Sequence, residues 1–414
     1  MIATQNIEFT ERKTSKISYF LILFPVILIF ASEILMYFES PISSPLKIAA
    51  VGYMFIYSFL NVRFHGGLLF ALFCFIPFFI YGIFISFNIN AAIEEGIRYL
   101  FPISVLMYSY ALKKHFKFLL ICFIVFVLIN DFWQIINYYH WLKGEVQWFY
   151  MYNPYYNKYI PNKTSGIIRA TGIVGFFGLF GFINMLAFFL TRRYYEGKGK
   201  TILLIIFVVC MFLSFSYKTL GTFLVLIFLE MKNKMKIILY GLGIFLIGFL
   251  TMPKLVLSME KNIRYRLVEY VLEGNSARGD SYRVMFEEFG RGNFFGRGVG
   301  AFGGPSSVTY HSPVYKEVRF NWYTTPELTT TDTYFPHLFV EMGLIGGLVY
   351  LFILVSPIIY LRWSYDKFKI IFVIYFALFF DALFAYSINN IAYLILSLIF
   401  IYPIYYYVEK PKTI

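Results

Sequence analysis

The sequence predicts an all-α membrane protein of about twelve transmembrane helices, a single domain over residues 1–414 with both termini cytoplasmic. Three observations predict it. Of the 414 residues, 59% are hydrophobic and 14% are charged, against about 25% charged in soluble domains. No soluble fold of this length hides so much apolar surface. Apolar runs recur along nearly the whole chain. The short connectors between them alternate between basic and neutral or acidic.

A span needs roughly 20 mostly apolar residues to cross about 30 Å of hydrocarbon. The runs are 17–37, 47–62, 67–87, 97–112, 116–138, 167–190, 201–216, 219–231, 236–252, 337–361, 369–386 and 390–408. The fourth and eighth are short. With Arg12, Lys13 and Lys16 inside, every second connector is basic: RFHGG (63–67), KKHFK (113–117), RRYYEGKGK (192–200), KNKMK (232–236), RWSYDKFK (362–369) and the tail EKPKTI. The other side receives FESPISSP (38–45), FNINAAIEE (87–95), a Tyr-rich loop (139–165), the SYK turn (216–218), a long polar loop (253–335) and SINN (387–390). Short loops rich in Lys and Arg are kept on the cytoplasmic side, whereas long loops escape the rule. The net charge of +13 is therefore a topology signal and argues against a nucleic-acid partner. The first run is too long for a cleaved signal peptide, and no small-residue cleavage site follows Tyr37. Cys74, Cys122 and Cys210 lie in apolar runs without a CxxC spacing, so they read as small buried hydrophobes.

The loop 253–335 holds ten of the 36 Lys and Arg residues, the stretch GRGNFFGRGVGAFGG (290–304), and the start of TDTYFPHLFVEMGLIGG (331–347). Chemistry on charged groups belongs here. The glycine-rich stretch is not a phosphate loop, because no GK[ST] follows, and no βαβ pattern surrounds it. It reads as a tightly turning loop, with close backbone approach to a ligand as the sharper alternative. The aromatic stretch QWFYMYNPYYNKYIPN (147–162) fits an interfacial belt or a platform for stacking sugars.

Cations on this face are Arg169, Lys218, Arg278, Arg283, Arg291 and Arg297. Arg offers a planar donor fork to phosphate and Lys a compact charge, so together they could clamp a pyrophosphate. For each alone, a solvated or snorkelling charge is the plainer reading. Acids inside or beside spans are functional candidates by default: Asp131, Asp332, Glu341 and Asp381. For Asp381 the alternative is a structural partnership with Lys218, Asn389 or Asn390. His311 and His337 could act as bases or as hydrogen-bonded structural residues. No metal or cofactor site is read.

The order of these features resembles the O-antigen polymerase (Wzy) and O-antigen ligase superfamily of bacterial inner membranes. The features are Arg169 opening a span, the Ser216–Lys218 turn, SYRVMF (281–286), FFGRGVGAFGG (294–304) and TDTYFPHLFVEMGLIGG. Ligases carry a histidine where this chain has Asp332, so the resemblance favours the polymerase branch. It implies transfer of a growing glycan from undecaprenyl pyrophosphate to a sugar hydroxyl of another lipid-linked repeat unit, at the periplasmic face and without metal or cofactor. Under that resemblance Arg283, Arg169 and Lys218 hold the pyrophosphate and Asp332 orients or deprotonates the hydroxyl. The family's Ser-Arg turn is Ser-Tyr-Lys here, so Lys218 supplies charge without a bidentate fork. Partners would be the lipid-linked oligosaccharide, membrane lipid and a chain-length regulator protein. The alternatives are a ligase or protein O-oligosaccharyltransferase of the same superfamily, and a lipid-linked oligosaccharide flippase.

Overall fold

A computed structural model describes residues 16–38, 40–61, 64, 66–144, 152–153, 158–159, 163–164, 167–230, 257, 261, 276–324, 330–331 and 333–408. Helices occupy every expected run within them; the run 236–252 lies outside the described residues, as does most of 253–275. The long helices are α1 (Lys16–Tyr37), α2 (Ser43–Asn61), α3 (Gly66–Phe84), α4 (Ile89–Ala111), α5 (Phe116–Leu142), α6 (Phe177–Tyr194), α7 (Lys200–Leu213) and α8 (Tyr217–Glu230). In the polar loop lie α9 (Ala277–Gly290), α10 (Pro305–Thr309) and α11 (Val314–Glu317). Then come α12 (Tyr334–Tyr360), α13 (Tyr365–Ala382), α14 (Ile391–Ser397) and α15 (Ile401–Tyr406), the last two separated by a 3-10 turn. The only strands among the described residues are two antiparallel ladders, Tyr152–Asn153 with Lys158–Tyr159 and Lys163–Thr164 with Ile167–Ile168. Among the described residues, four helices are long and apolar enough to cross a membrane: α1, α3, α5 and α12.

The two ends of the bundle differ chemically. At one end Lys113 lies over the Tyr110 ring and Lys117 over Tyr407. There Arg192 pairs with Glu230, Arg193 with Asp366, and Lys367 donates to the Tyr405 carbonyl. The expected basic connectors 113–117, 192–200 and 362–369 thus share one end. The other end gathers the α3–α4 turn, the α7–α8 turn, the α13–α14 turn and the polar loop. Ser86 Oγ donates to the Val299 carbonyl (2.7 Å) and Tyr282 Oη to the Leu383 carbonyl (2.9 Å).

Two helix starts differ from expectation. FNINAAIEE reads as a connector, yet α4 begins at Ile89 because Asn88 caps it: its Oδ1 accepts from the Asn90 and Ala91 amides. Glu94 and Glu95 are therefore helical residues. The sixth run begins at Phe177, ten residues later than expected. Two amides on one face of α5 hold the segment before it in a non-helical form. Gln134 Oε1 accepts from Thr171 and Gly172, and Asn130 Oδ1 from Ile173 and Val174. Four backbone donors that a helix would have used are thereby bonded.

The feature that joins loop to bundle is a break in α12. Gly343 has φ 69° and ψ 177°, so the hydrogen-bond ladder is interrupted there. The glycine-rich stretch fills the gap. Arg297 N–H donates to the Val340 carbonyl (2.9 Å) and Gly298 N–H to the Glu341 carbonyl (3.0 Å). Ile345 N–H donates back to the Phe294 carbonyl (3.1 Å), and Val299 N–H reaches the Gly82 carbonyl (2.8 Å). The Val340 and Glu341 carbonyls and the Ile345 N–H thereby gain backbone partners. The approach requires glycine. A side chain at Gly296 would strike the Glu341 carbonyl, and one at Gly343 the Phe294 carbonyl. Downstream, Gly298 lies on the backbone of Ser86 and Gly300 on that of Ala91. The tight turning expected from seven glycines is present, and the close approach is to the protein's own backbone.

Gly296→Ala and Gly343→Ala should each lower the thermal unfolding midpoint in detergent. A non-glycine residue in such a conformation costs about 1–3 kcal/mol, and the collision adds to it. Gly52→Ala, in an open stretch of α2 with nothing near the added carbon, should leave the midpoint unchanged or raise it, because Ala is favoured over Gly in helices by about 0.5–1 kcal/mol.

Candidate functional site

Two buried polar clusters lie at the loop end. The first is built around Glu95. Its Oε2 accepts from Arg98 (2.6 Å) and Ser306 Oγ (3.2 Å). Its Oε1 accepts from Tyr386 Oη and from Asn389 Nδ2 (3.2 Å). His337 Nε2 lies 3.4 Å from the same oxygen. The donors come from α4, α10 and the α13–α14 turn, and His337 of α12 lies alongside, so four parts of the chain meet at one carboxylate.

His337 and Glu341 share the inner face of α12, one turn apart. His337 Nδ1 sits 2.6 Å from the Phe302 carbonyl. A carbonyl only accepts, so Nδ1 carries the proton. Nε2 then faces Tyr386 Oη (2.9 Å) and Asn389 Nδ2 (3.1 Å). Glu341 Oε1 accepts from the Phe302 amide (3.1 Å) and Oε2 from Tyr99 Oη (3.0 Å). The Tyr99 ring stacks on the imidazole at 5.5 Å. Phe302 is thus clamped by its N–H and its C=O between two side chains of the same helix. His337, Glu341 and Glu95 are all fully buried. This cluster fixes the first turns of α12 against the glycine-rich stretch.

The second cluster forms where the α7–α8 turn meets α13. Lys218 Nζ bonds both carboxylate oxygens of Asp381, at 2.8 and 2.9 Å. That is the structural partnership with Lys218 that the sequence offers for Asp381. Arg169 is buried beside them. It precedes α6 rather than opening it, and donates to the Ser214 (3.2 Å) and Phe215 (2.7 Å) carbonyls. Its guanidinium lies 3.2 Å from the centre of the Phe177 ring, and Lys218 lies 5.7 Å from Phe176. Arg278 lies in the first turn of α9. Lys218 thus holds one buried acid, and Arg169 is fixed on the carbonyls of the turn that precedes Lys218.

The other arginines are engaged elsewhere. Arg283 pairs with Asp280 and Glu287 of its own helix, each at 2.6 Å, and donates to the Val318 carbonyl. The hydrogen bond to Asp280, more than that to Glu287, raises its proton affinity further. Arg291 and Arg297 converge on the buried carboxylate of Glu288, at 2.9 and 2.7 Å, and Arg297 also reaches Glu317. Burial alone would push the Glu288 carboxyl up. The hydrogen bonds from Arg297 and Asn293 and the charges of both arginines outweigh it, leaving Glu288 below the usual glutamate range.

Asp131 is buried in α5, where Asn184 Nδ2 donates to its Oδ1 (2.9 Å). It does not enter either cluster. His311 is exposed with φ 53°. Asp332 lies outside the described residues. Its neighbours are anchored: Thr331 N–H donates to the Gly303 carbonyl (3.0 Å), and Thr333 Oγ1 meets Ser281 Oγ of α9 at 2.7 Å. Among the described residues no group of three His, Cys, Asp or Glu is placed to hold a metal ion. Sequence reading missed Glu95, Arg98 and Tyr386, and it offered Asn389 to Asp381, whereas Asn389 bonds Glu95 and Tyr386. The signal present was the i,i+3 spacing of Glu95 and Arg98 at the mouth of an apolar run. No family model, curated protein or solved structure matches the chain. Fold and site together define a helical protein with helices able to cross a membrane and two charged clusters at one end.

Glu95→Ala should destabilise strongly, because it orphans donors on three elements; breaking a buried ion pair costs about 3–5 kcal/mol, and the partial exposure of Arg98 reduces that. Tyr386→Phe should cost about 1 kcal/mol. Thermal unfolding in detergent checks both. The Glu288 network carries a pH signature. Its folded-state affinity for protons is depressed, so its stabilisation is complete above the ordinary glutamate value of about 4.3 and fades as pH falls through the lower folded value. Glu288→Gln should flatten the stability profile in that acidic window and leave its shape above pH of about 6 unchanged.

Proposed function

We propose that the chain is a polysaccharide polymerase of the inner-membrane superfamily that its motifs resemble. It moves a growing glycan from undecaprenyl pyrophosphate to a sugar hydroxyl of a second lipid-linked repeat unit. In this reading about twelve spans place both termini in the cytoplasm and the loop end in the periplasm. The observation that carries the reading is the buried pair of Lys218 with Asp381, with Arg169 fixed beside the adjoining α7–α8 turn. A buried lysine held by an internal carboxylate, with a second buried cation at the same turn, suits an anionic ligand of higher charge. A lipid pyrophosphate would take the place of Asp381 as the counter-ion of Lys218.

The chemistry needs little else from the protein. The hydroxyl oxygen forms a bond to the anomeric carbon while the bond from that carbon to the pyrophosphate oxygen breaks. The leaving pyrophosphate gains negative charge, which the preset cations stabilise; losing one such donor typically costs about 10²–10³ in rate. The hydroxyl proton goes to a base. Asp332 fills that role in this proposal, as the resemblance implies. General-base help is worth about 10²–10⁴. The ion-paired state of Arg283, Arg291 and Arg297 leaves them better suited to holding the loop than to binding pyrophosphate.

Deletion of the gene in a host that makes the polysaccharide should replace a ladder of glycan lengths by a single capped repeat unit on a gel. Complementation with Lys218→Ala or Asp332→Asn should fail to restore the ladder while the variant still inserts in the membrane. A full ladder in the deletion strain rules the activity out. A full ladder with either variant removes that residue from the mechanism.

A further inference from the structure

We infer that residues 286–300 form a re-entrant wedge that rests in the lipid of the outer leaflet, with Phe286, Phe294 and Phe295 facing acyl chains. The first ground is position. The stretch inserts at Gly343, about 13 Å along α12 from Tyr334 at the helical rise of about 1.5 Å per residue. It also bonds Gly82, inside a helix able to span a membrane. The Phe295 ring meets the Tyr81 ring of that helix edge-on, with centroids 6.0 Å apart. A segment touching two such helices below their ends is not above the membrane surface.

The second ground is the backbone. In hydrocarbon every peptide group needs an internal partner. Residues 297–299 meet this condition through Val340, Glu341 and Gly82. The third ground is the side chains. Phe286 is 63% exposed, Phe295 52% and Phe294 45%; Phe295 meets Tyr81 and the Phe294 carbonyl meets Ile345, and Tyr81, Phe84 and Ile345 are themselves exposed. That surface belongs to the helices with spanning length, so its natural occupant is lipid. The charges of the stretch balance one another, because Arg291 and Arg297 both pair with Glu288 and Arg291 also pairs with Glu287. Aromatic rings at the boundary of a bilayer are stabilised by burying an apolar body.

Site-directed spin labelling tests the inference on the full chain in vesicles of phosphatidylethanolamine and phosphatidylglycerol. Cys74, Cys122 and Cys210 are replaced by Ala. Nitroxides are then placed singly through Phe286→Cys, Phe294→Cys and Phe295→Cys. Leu348→Cys on the outer side of α12 and Lys316→Cys in the loop serve as references. The ratio of collisions with oxygen to collisions with a water-soluble nickel chelate should match Leu348 at all three positions and exceed Lys316. A ratio matching Lys316 overturns the inference. So does suppression of both collision rates, which would mean that protein covers this face. Because three positions report independently, a variant that fails to insert leaves the other two to decide.

Discussion

The structure depends on one exchange of backbone hydrogen bonds. A helix broken in a low-dielectric interior leaves peptide groups bare, and each bare group is costly. α12 breaks at Gly343, and the glycine-rich stretch supplies the missing donors and acceptor. Main chain meets main chain, so side chains are excluded on both partners. Glu341 next to the break and His337 one turn earlier then grip Phe302. The polar loop is thereby built into the helix bundle rather than tethered to it.

From this junction the rest of the loop end is ordered. Glu95 connects α4 to α10, to His337 and to the α13–α14 turn. The same turn follows directly on Asp381, the partner of Lys218. The two clusters are therefore adjacent along the chain, one closed and positioning, the other built on the Lys218–Asp381 pair. Arg283, Arg291 and Arg297 are balanced locally by Asp280, Glu287 and Glu288. Under the proposed reaction Lys218 and Arg169 meet the anionic substrate.

Much of the architecture was legible in the sequence. Apolar runs give helices because length and hydrophobicity are local properties, and the basic connectors meet at one end for the same reason. Helix starts were less legible. Asn88 could be read as a cap, but Asn130 and Gln134 act from another helix on residues 171–174, and no local pattern reports that. The role of Gly296 was partly legible: glycine density signals close approach, but the partner, Gly343, lies far along the chain. Glu341, His337 and Asp381 stood out because charge inside an apolar run is costly. Glu95 did not, because two acids beside a turn look like a solvated connector.

Hydrogen exchange of peptide 294–304 in a bilayer tests the central claim most directly. If this stretch is threaded into the break of α12, its amides exchange as slowly as those of α12 itself, despite lying in the most polar part of the chain. Exchange on the timescale of a solvated loop would contradict the account.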